Sequence, residues 1–371
     1  MQRNKFIKCS SILRTRIYLN ISCAFLFLLI AVSACGPRWE IVDPYGDVDW
    51  ETHIQYKANF HTHTTNSDGR LNPHTVVDRY HQLGYDILAI TDHNEVTWPW
   101  TAFAEIEPSN TSLNRMESAP ETMPDNLEFE NRDPVALQMI DIQANELSRH
   151  HHMGSFFNDH NNTETEEESL EATAAKDGIT MLYHPGRYQE RNPEYYNLQW
   201  YLDVYGNYDH LFGLEVYNQG DRYPNDRHMW DSILTVMMPD RPVWGYSNDD
   251  MHTEPHIGRN WNMLILPELN HEQVRLGMET GLSYFIYAPG GHDGPLPPVI
   301  EAVKVNNRRG TIEITATGYD SVVWKTGGKV VYEGNIIDLN ELEESYTYVR
   351  AKLYGEGETV TGTQPFGIRQ R

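Results

Sequence analysis

Residues 56–69 read YKANFHTHTTNSDG. The first five predict a short β-strand, which brings His61 and His63 to its end and Asp68 into the loop that follows. Histidines two positions apart point to the same side of an extended chain, so both imidazoles can bind one metal ion, and the loop carboxylate can reach a neighbouring ion. This stretch therefore predicts a metal site at the end of a strand.

The pattern of an apolar strand followed by a potential metal ligand recurs further along the chain. The further candidates are His93 after residues 86–91, Glu146 after 137–144, His184 after 179–183, and Asp250 with His252 after 243–247. Helical stretches lie between several of these strands, which predicts a parallel α/β sheet or barrel with its site at the C-terminal strand ends. Any one of these residues could be a cap or a satisfied core histidine, but five such strand ends favour one shared polynuclear metal site.

The first 35 residues differ from the rest of the chain. Five basic and no acidic residues accompany an apolar run over 21–34, which is the pattern of a signal peptide. The 14-residue run is short for a bilayer core that is about 30 Å thick. Val32-Ser33-Ala34-Cys35 resembles a bacterial lipobox, in which the cysteine is lipidated and becomes the new N-terminus. The alternative is an ordinary cleaved signal with an incidental cysteine.

Composition limits what the mature chain can do. Cys9 and Cys23 would leave with the signal, so lipidated Cys35 leaves no thiol for disulfides. Loss of the five basic residues takes the formal charge from −24 to −29, which argues against a duplex nucleic-acid partner. We expect an exported protein that is anchored to the membrane through Cys35. Because Gly36 is no inner-membrane retention signal, the outer membrane is preferred for a Gram-negative source, and the oligomeric state stays open.

Changes in composition also predict the domain organisation. Residues 36–51 are predicted to be a polar tether and 52–296 the α/β part. Residues 297–371 contain short alternating segments separated by glycine and asparagine, which predict a small antiparallel β-sandwich.

The motifs in chain order resemble those of the PHP (polymerase and histidinol phosphatase) superfamily. They are His-x-His with Ser-Asp-Gly, Thr-Asp-His-Asn, a strand-end glutamate, His-Pro-Gly and Asp-x-His, and they cover roughly residues 52–295. The resemblance implies a distorted (β/α)7, TIM-like barrel. It also implies two or three divalent metal ions such as zinc, manganese or iron.

The resemblance further assigns a set of ligands to each ion. It implies His61, His63, Glu146 and Asp250 for the first ion, Glu146, His152 and His184 for the second, and Asp68, His93 and His252 for the third. Glu146 would bridge the first two ions. His152 fits the family pattern best, but three consecutive histidines are available and His151 could replace it.

The implied activity is that of a metal-dependent phosphoric ester hydrolase. A hydroxide that bridges two ions would attack a small phosphomonoester or a nucleotide, with Glu146, Asp250 and Arg187 in the catalytic machinery. Arg187 and Arg259 could bind phosphate oxygens, although either could be an ordinary surface arginine. Two alternatives remain: a 5′–3′ exonuclease or phosphodiesterase that acts on short single-stranded nucleic acid, and a non-catalytic metal- or glycan-binding lipoprotein. The sequence does not identify the substrate.

Overall fold

A computed structural model describes residues 39–103, 132–162 and 165–371 of the 371-residue chain. The predicted signal peptide, Cys35 and the first residues of the predicted tether lie outside these ranges. Within the described residues, every helix is too short or too polar to cross a membrane.

The described residues form a mixed α/β fold, as the sequence predicts. The strands are β1 Trp39–Val42, β2 Ile54–Asn59, β3 Ile87–Ala89, β4 Ile140–Ile142, β5 Ala144–Leu147, β6 Met153–Phe156, β7 Ile179–Leu182, β8 Leu211–Asn218, β9 Trp244–Asn248, β10 Asn260–Leu266, β11 Ser283–Tyr287, β12 Val299–Asn306, β13 Thr311–Thr317, β14 Ser321–Thr326, β15 Lys329–Glu333, β16 Ile336–Asp338, β17 Tyr348–Tyr354, β18 Val360–Gly362 and β19 Phe366–Gln370. The α-helices are α1 Pro73–Gln82, α2 Pro134–Leu137, α3 Glu166–Ala175, α4 Pro185–Arg191, α5 Leu198–Asn207, α6 Asn225–Met237 and α7 His271–Thr280.

The strands pair into three sheets. The largest has the order β1-β19-β17-β18-β11-β10-β2-β3-β4, with β14 and β15 joined to it at β17. A second sheet has the order β5-β6-β7-β8-β9, and a third has the order β12-β13-β16. Single bridges from Thr62 to Met251 and from His93 to Glu146 connect the first two sheets.

Pairing among the described strands therefore gives open sheets and not the closed barrel that the resemblance implies. Strands β2, β3 and β4 are parallel, and so are β7, β8 and β9. Strand β6, however, is antiparallel to both β5 and β7, and β10 is antiparallel to β2. Only a short turn separates β5 from β6, so the chain reverses there without the crossover helix that a parallel neighbour requires.

Strands β7 and β8 are completely buried. All eight positions of β8 and all four positions of β7 are buried, as expected for strands that are covered on both faces. Helix α1 begins with Pro73 at its first turn, and the chain turns away at Gly84 with φ 71°. The rigid strands thus end in loops whose side chains have defined positions.

The C-terminal part is rich in β-structure, and its strands continue the large sheet. Strand β18 pairs with both β11 and β17. The sheet β12-β13-β16 shares one apolar core with β14 and β17, through Ile312, Trp324 and Val349. Part of the segment predicted as a tether is a strand, because β1 pairs with β19 and buries Trp39 and Ile41 while Glu40 and Val42 point outwards. This alternation is that of a strand with one buried face, and β1 is an edge strand because it stands at the end of the sheet order.

A buried ion pair joins helix α6 to the C-terminal strand β17. The Arg350 Nε and an Arg350 terminal nitrogen donate to the two Asp231 carboxylate oxygens at 2.9 and 2.7 Å. The Tyr348 hydroxyl donates to the same carboxylate at 2.7 Å, and the Arg350 guanidinium lies over the Trp230 ring. Asp231 and Arg350 are 3% and 2% exposed, so this pair is almost completely desolvated.

Lys352 lies at the same junction and gives a prediction about pH. Burial, followed by repulsion from Arg227, Lys325 and Arg350, lowers the pKa of Lys352 to about 7. A lysine in the unfolded chain has a pKa of about 10.4, so between these values the unfolded state binds more protons and the free energy of unfolding rises with pH. We expect Lys352→Met to raise Tm at pH 6 and the gain to shrink as the pH approaches 10.

Thermal unfolding of both proteins at pH 6, 8 and 9.5 measures this effect. Lys329→Met is the matched control, because Lys329 is exposed on β15, which β14 separates from β17. Parallel pH profiles for wild type and Lys352→Met would show that Lys352 is not the source of the pH dependence.

Candidate metal centre

The structure brings all nine residues that were predicted as metal ligands into one cluster. His61, His63 and Asp68 follow β2, His93 follows β3, Glu146 lies in β5, His152 precedes β6, His184 follows β7, and Asp250 and His252 follow β9. These positions are far apart in the chain, and the ends of the buried strands place them together.

The Glu146 carboxylate is the centre of the cluster. It is 0% exposed and lies among five imidazoles. Its Oε1 lies 2.6 Å from His152 Nδ1, 3.6 Å from His61 Nε2 and 3.7 Å from His184 Nε2, and its Oε2 lies 2.8 Å from His93 Nδ1 and 3.4 Å from His63 Nε2. The Glu146 carboxylate is therefore in contact with imidazoles that follow strands of both sheets.

Two further carboxylates complete the set. Asp250 Oδ1 lies 3.3 Å from both His61 Nε2 and His63 Nε2. Asp68 Oδ1 lies 3.5 Å from His93 Nε2 and 3.3 Å from His252 Nε2. The Asp68 side chain is 41% exposed, so the cluster opens to solvent on this side.

Potential ligand atoms fall into four overlapping groups, each with all its atoms within 4.8 Å of one another. The groups are His63, Asp68, His93 and His252; His61, His63 and Glu146; His61, His184 and Asp250; and His93, Glu146 and His152. The first contains the set implied for the third ion, with His63 added. His184 groups with His61 and Asp250, whereas the resemblance places it with Glu146 and His152.

The donor atoms in this cluster fit a cation better than they fit one another. Both Glu146 oxygens, the Nε2 atoms of His61 and His63, and the Nδ1 atoms of His93 and His152 are buried, and their close approaches to one another lack hydrogen-bond geometry among the described residues. Buried polar groups in proteins normally have partners, and each unpaired group is costly. Nitrogen and oxygen donors without thiolate suit zinc, manganese or iron. The residues therefore fit the metal ions that the resemblance implies.

Only one histidine of the run at 150–152 belongs to the cluster. His152 faces Glu146, whereas the His151 ring stacks on Tyr188 and its Nε2 lies 3.2 Å from the Tyr201 hydroxyl. His150 Nε2 bonds with the Ser169 hydroxyl. The three histidines lie in the bent connection between β5 and β6, where each ring takes its own direction.

Backbone strain occurs at two of the cluster residues. His184 has φ 32° and Asp250 has φ 44°, in the left-handed region that residues other than glycine rarely adopt. Each such residue costs about 1–3 kcal/mol and persists only where its surroundings enforce it. Strain of this kind is concentrated at functional sites.

Glu215 supports the cluster, and it is absent from the ligands predicted above. Its carboxylate lies 2.9 Å from His61 Nδ1 and accepts a hydrogen bond from the His184 backbone N–H at 2.9 Å. The Asn218 and Asn248 side-chain amides donate to the same carboxylate. Its contacts run to residues 31 and 154 positions away, which no local pattern indicates.

Asp92 orders the loop that carries Asp68. It accepts hydrogen bonds from the Thr64 N–H at 2.7 Å and from the hydroxyls of Ser67 and Thr97 at 2.6 Å each. Its position beside His93 in the Thr-Asp-His-Asn motif is the only sequence signal of this role.

Opposite charges determine the protonation of the cluster. Burial disfavours the His61 imidazolium, but the Asp250, Glu215 and Glu146 carboxylates outweigh burial and hold the pKa of His61 well above its ordinary value. Burial likewise disfavours the Glu146 carboxylate, but the histidines around it, first His152, hold its pKa well below the ordinary value. A metal ion that binds to His61 and Glu146 would therefore compete with protons.

The two predicted phosphate-binding arginines follow strands of the cluster along the chain. Arg187 is in the first turn of α4, and its Nε is buried without a hydrogen-bond partner among the described residues. The Arg259 side chain lies beside Gly220 and Gly291, and its backbone N–H donates to Asp249. Neither guanidinium has a carboxylate within ion-pair distance in the described ranges.

Comparison with known proteins gives structural likenesses only. No family model matches the chain, and no curated protein sequence matches it. A two-domain protein from Bacteroides vulgatus, which contains a predicted PHP-like metal-dependent phosphoesterase, is 16% identical, with a TM-score of 0.48 over 86% of this chain and 96% of that chain. A predicted metal-dependent phosphoesterase from Bifidobacterium adolescentis is 15% identical, with a TM-score of 0.33 over 53% and 88%. PsfC from Pseudomonas syringae is 13% identical, with a TM-score of 0.39 over 63% and 92%.

Proposed function

We propose that this chain is a PHP-type metal-dependent phosphoesterase that hydrolyses a small phosphomonoester or nucleotide outside the cytoplasm. The observation that carries the proposal is the position of Glu146, buried among five imidazoles whose ring nitrogens lie 2.6–3.7 Å from its oxygens. Bound cations would account for so many buried ligand atoms that lack hydrogen-bond geometry.

The nine cluster residues would hold two or three divalent ions, with Glu146 shared between ions and Asp250 beside it. Ions held there would lower the pKa of a water molecule and offset the charge that develops on the phosphate. The two carboxylates each contact more than one imidazole of the cluster. The exposed side at Asp68 gives the substrate a way in.

Arg187 and Arg259 would bind the phosphate oxygens from outside the cluster. A planar guanidinium offers two parallel N–H donors to a phosphate, and it offsets the repulsion between that phosphate and the acidic cluster. Both side chains are free of carboxylate partners within the described residues, so neither would have to break an ion pair in order to bind.

The place of action is proposed from the sequence of the first 35 residues. Their basic, then apolar, then lipobox-like pattern supports export and a lipid anchor at Cys35, with the outer membrane preferred. An extracytoplasmic enzyme would meet phosphorylated small molecules from the surroundings. The acidic chain is unsuited to duplex nucleic acid.

Phosphate release from a panel of nucleotides and sugar phosphates tests the activity. Short oligonucleotides, with release of nucleotides as the readout, extend the panel to the exonuclease alternative. The mature chain, loaded with manganese or zinc, is compared with His61→Ala and Asp250→Ala. We expect turnover of at least one ester by the wild type and its loss in both variants. A metal-loaded protein that is inert on every ester would instead favour a binding protein.

The contribution of Arg187 can be measured separately. We expect Arg187→Ala to lower kcat/KM about 10- to 100-fold, since a hydrogen bond to a charged group contributes about 1.5–3 kcal/mol. Arg187→Lys should recover part of the loss, because lysine keeps the charge without the planar fork. Steady-state kinetics on the best substrate give both values, with the exposed Arg308→Ala as a control. Unchanged kinetics in Arg187→Ala would remove this residue from the site.

A further inference from the structure

Glu215 has an unusual environment for a carboxylate. It lies in β8 and is 0% exposed. Among the described residues, no lysine or arginine forms an ion pair with it. Four hydrogen-bonding groups surround it instead, and two of them belong to predicted ligands. A buried charge is tolerated only when its hydrogen bonds are satisfied, so this arrangement is specific to the carboxylate.

The two oxygens of Glu215 contact different parts of the cluster. Oε1 lies 2.9 Å from His61 Nδ1 and accepts from the Asn248 amide at 3.0 Å. Oε2 accepts from the His184 backbone N–H at 2.9 Å and from the Asn218 amide at 2.8 Å. One side chain thus connects two ligand residues that lie on different strands.

These contacts control how His61 and His184 face the centre. An imidazole whose Nδ1–H donates to a carboxylate keeps its Nε2 lone pair for a metal ion. His61 Nε2 then points to Glu146 and Asp250. The His184 backbone has φ 32° and ψ 60°, and the bond from its N–H to Glu215 holds it in this strained conformation. His184 Nε2 lies 3.7 Å from Glu146.

We propose that Glu215 is a positioning residue of the metal centre, because it orients the His61 ring and restrains the His184 backbone at the same time. The inference rests on the proposed metal centre. It predicts that metal binding through His61 and His184 weakens when Glu215 is changed. Asp68, His93 and His252 form no hydrogen bond with Glu215 in the described part of the chain, so metal binding through these three residues would remain.

Glutamine is the informative replacement because it has the same shape. The groups around Glu215 are all hydrogen-bond donors, and the glutamine amide nitrogen is also a donor. On whichever side this nitrogen lies, the hydrogen bonds that a Glu215 oxygen accepts there are lost. If the amide nitrogen faces His61, that ring must move its proton to Nε2, which blocks the ligand atom. If it faces His184, the strained backbone loses its restraint.

The test is calorimetric titration of Mn²⁺ into the metal-free full chain in detergent, together with metal analysis after dialysis. Wild type, Glu215→Gln and the exposed control Glu333→Gln are compared. We expect Mn²⁺ binding through His61 and His184 in Glu215→Gln to be about 10- to 100-fold weaker, in line with losses of supporting partners at other metal sites, while binding through Asp68, His93 and His252 keeps its affinity. The control should match the wild type.

A milder variant covers the case in which Glu215→Gln does not fold. Asn218→Ala removes one donor to Oε2, and we expect it to weaken the same Mn²⁺ binding by a smaller factor. Wild-type affinities for every ion in both variants, or equal loss of all ions, would overturn the positioning role. A wild-type chain that binds no Mn²⁺ would instead contradict the metal centre itself.

Discussion

Glu146→Gln is expected to abolish hydrolysis and to remove at least one bound ion. The Glu146 carboxylate lies within 3.7 Å of five imidazoles, so loss of its charge affects every group that contains it. An amide is a weak ligand for a hard cation and cannot bridge two ions as a carboxylate does. We expect kcat to fall by about 1,000-fold or more, comparable to the loss of a main stabilising group in other enzymes.

Phosphate release and metal analysis on the same preparation measure this effect. Glu301→Gln, on the exposed side of β12, is a matched control with the same chemical change. Circular dichroism and Tm show whether Glu146→Gln still folds. A folded Glu146→Gln protein with wild-type metal content and turnover would exclude the central role of this carboxylate.

Arg350→Met is expected to destabilise the fold by about 3–5 kcal/mol, because it leaves the Asp231 charge buried without its partner. Asp231 is 3% exposed and, within the part of the chain that the structure describes, would retain only the Tyr348 hydroxyl as a side-chain donor. This pair joins α6 to β17, so its loss affects the contact between the α/β part and the C-terminal strands. Urea unfolding of the two proteins gives the difference.

The double variant Asp231→Asn with Arg350→Met distinguishes two contributions to the loss of stability, namely the unpaired Asp231 charge and the lost contact between the side chains. We expect it to recover much of the stability, since removal of both charges of a buried pair is often close to neutral. A destabilisation below about 1 kcal/mol in Arg350→Met would indicate that water reaches Asp231.

Part of the cluster could be grouped from local information. Eight of the nine residues stand at or just after the ends of apolar strands, and strand ends meet in α/β folds, whereas His152 came from the family resemblance. His152 could not be separated from His151 in this way, because the direction of each ring depends on a turn between two antiparallel strands. The structure turns His151 to Tyr188 and Tyr201 instead.

Other features depend on pairings that no local pattern contains. The open sheets follow from the antiparallel β6, and β1 is a strand only because β19, more than three hundred residues later, offers an edge. Glu215 contacts His61, which lies 154 positions away, and Asp231 and Arg350 are 119 positions apart. Hydrophobic periodicity identifies elements, whereas their partners are set by tertiary packing.

Anomalous X-ray diffraction from crystals soaked in MnCl2 or ZnCl2 tests the central claim most directly. The account predicts two or three peaks inside the cluster, one of them bound by Glu146, with zinc-to-imidazole distances of about 2.0–2.1 Å. Crystals whose anomalous peaks all lie away from Glu146, His61 and Asp250 would contradict the account.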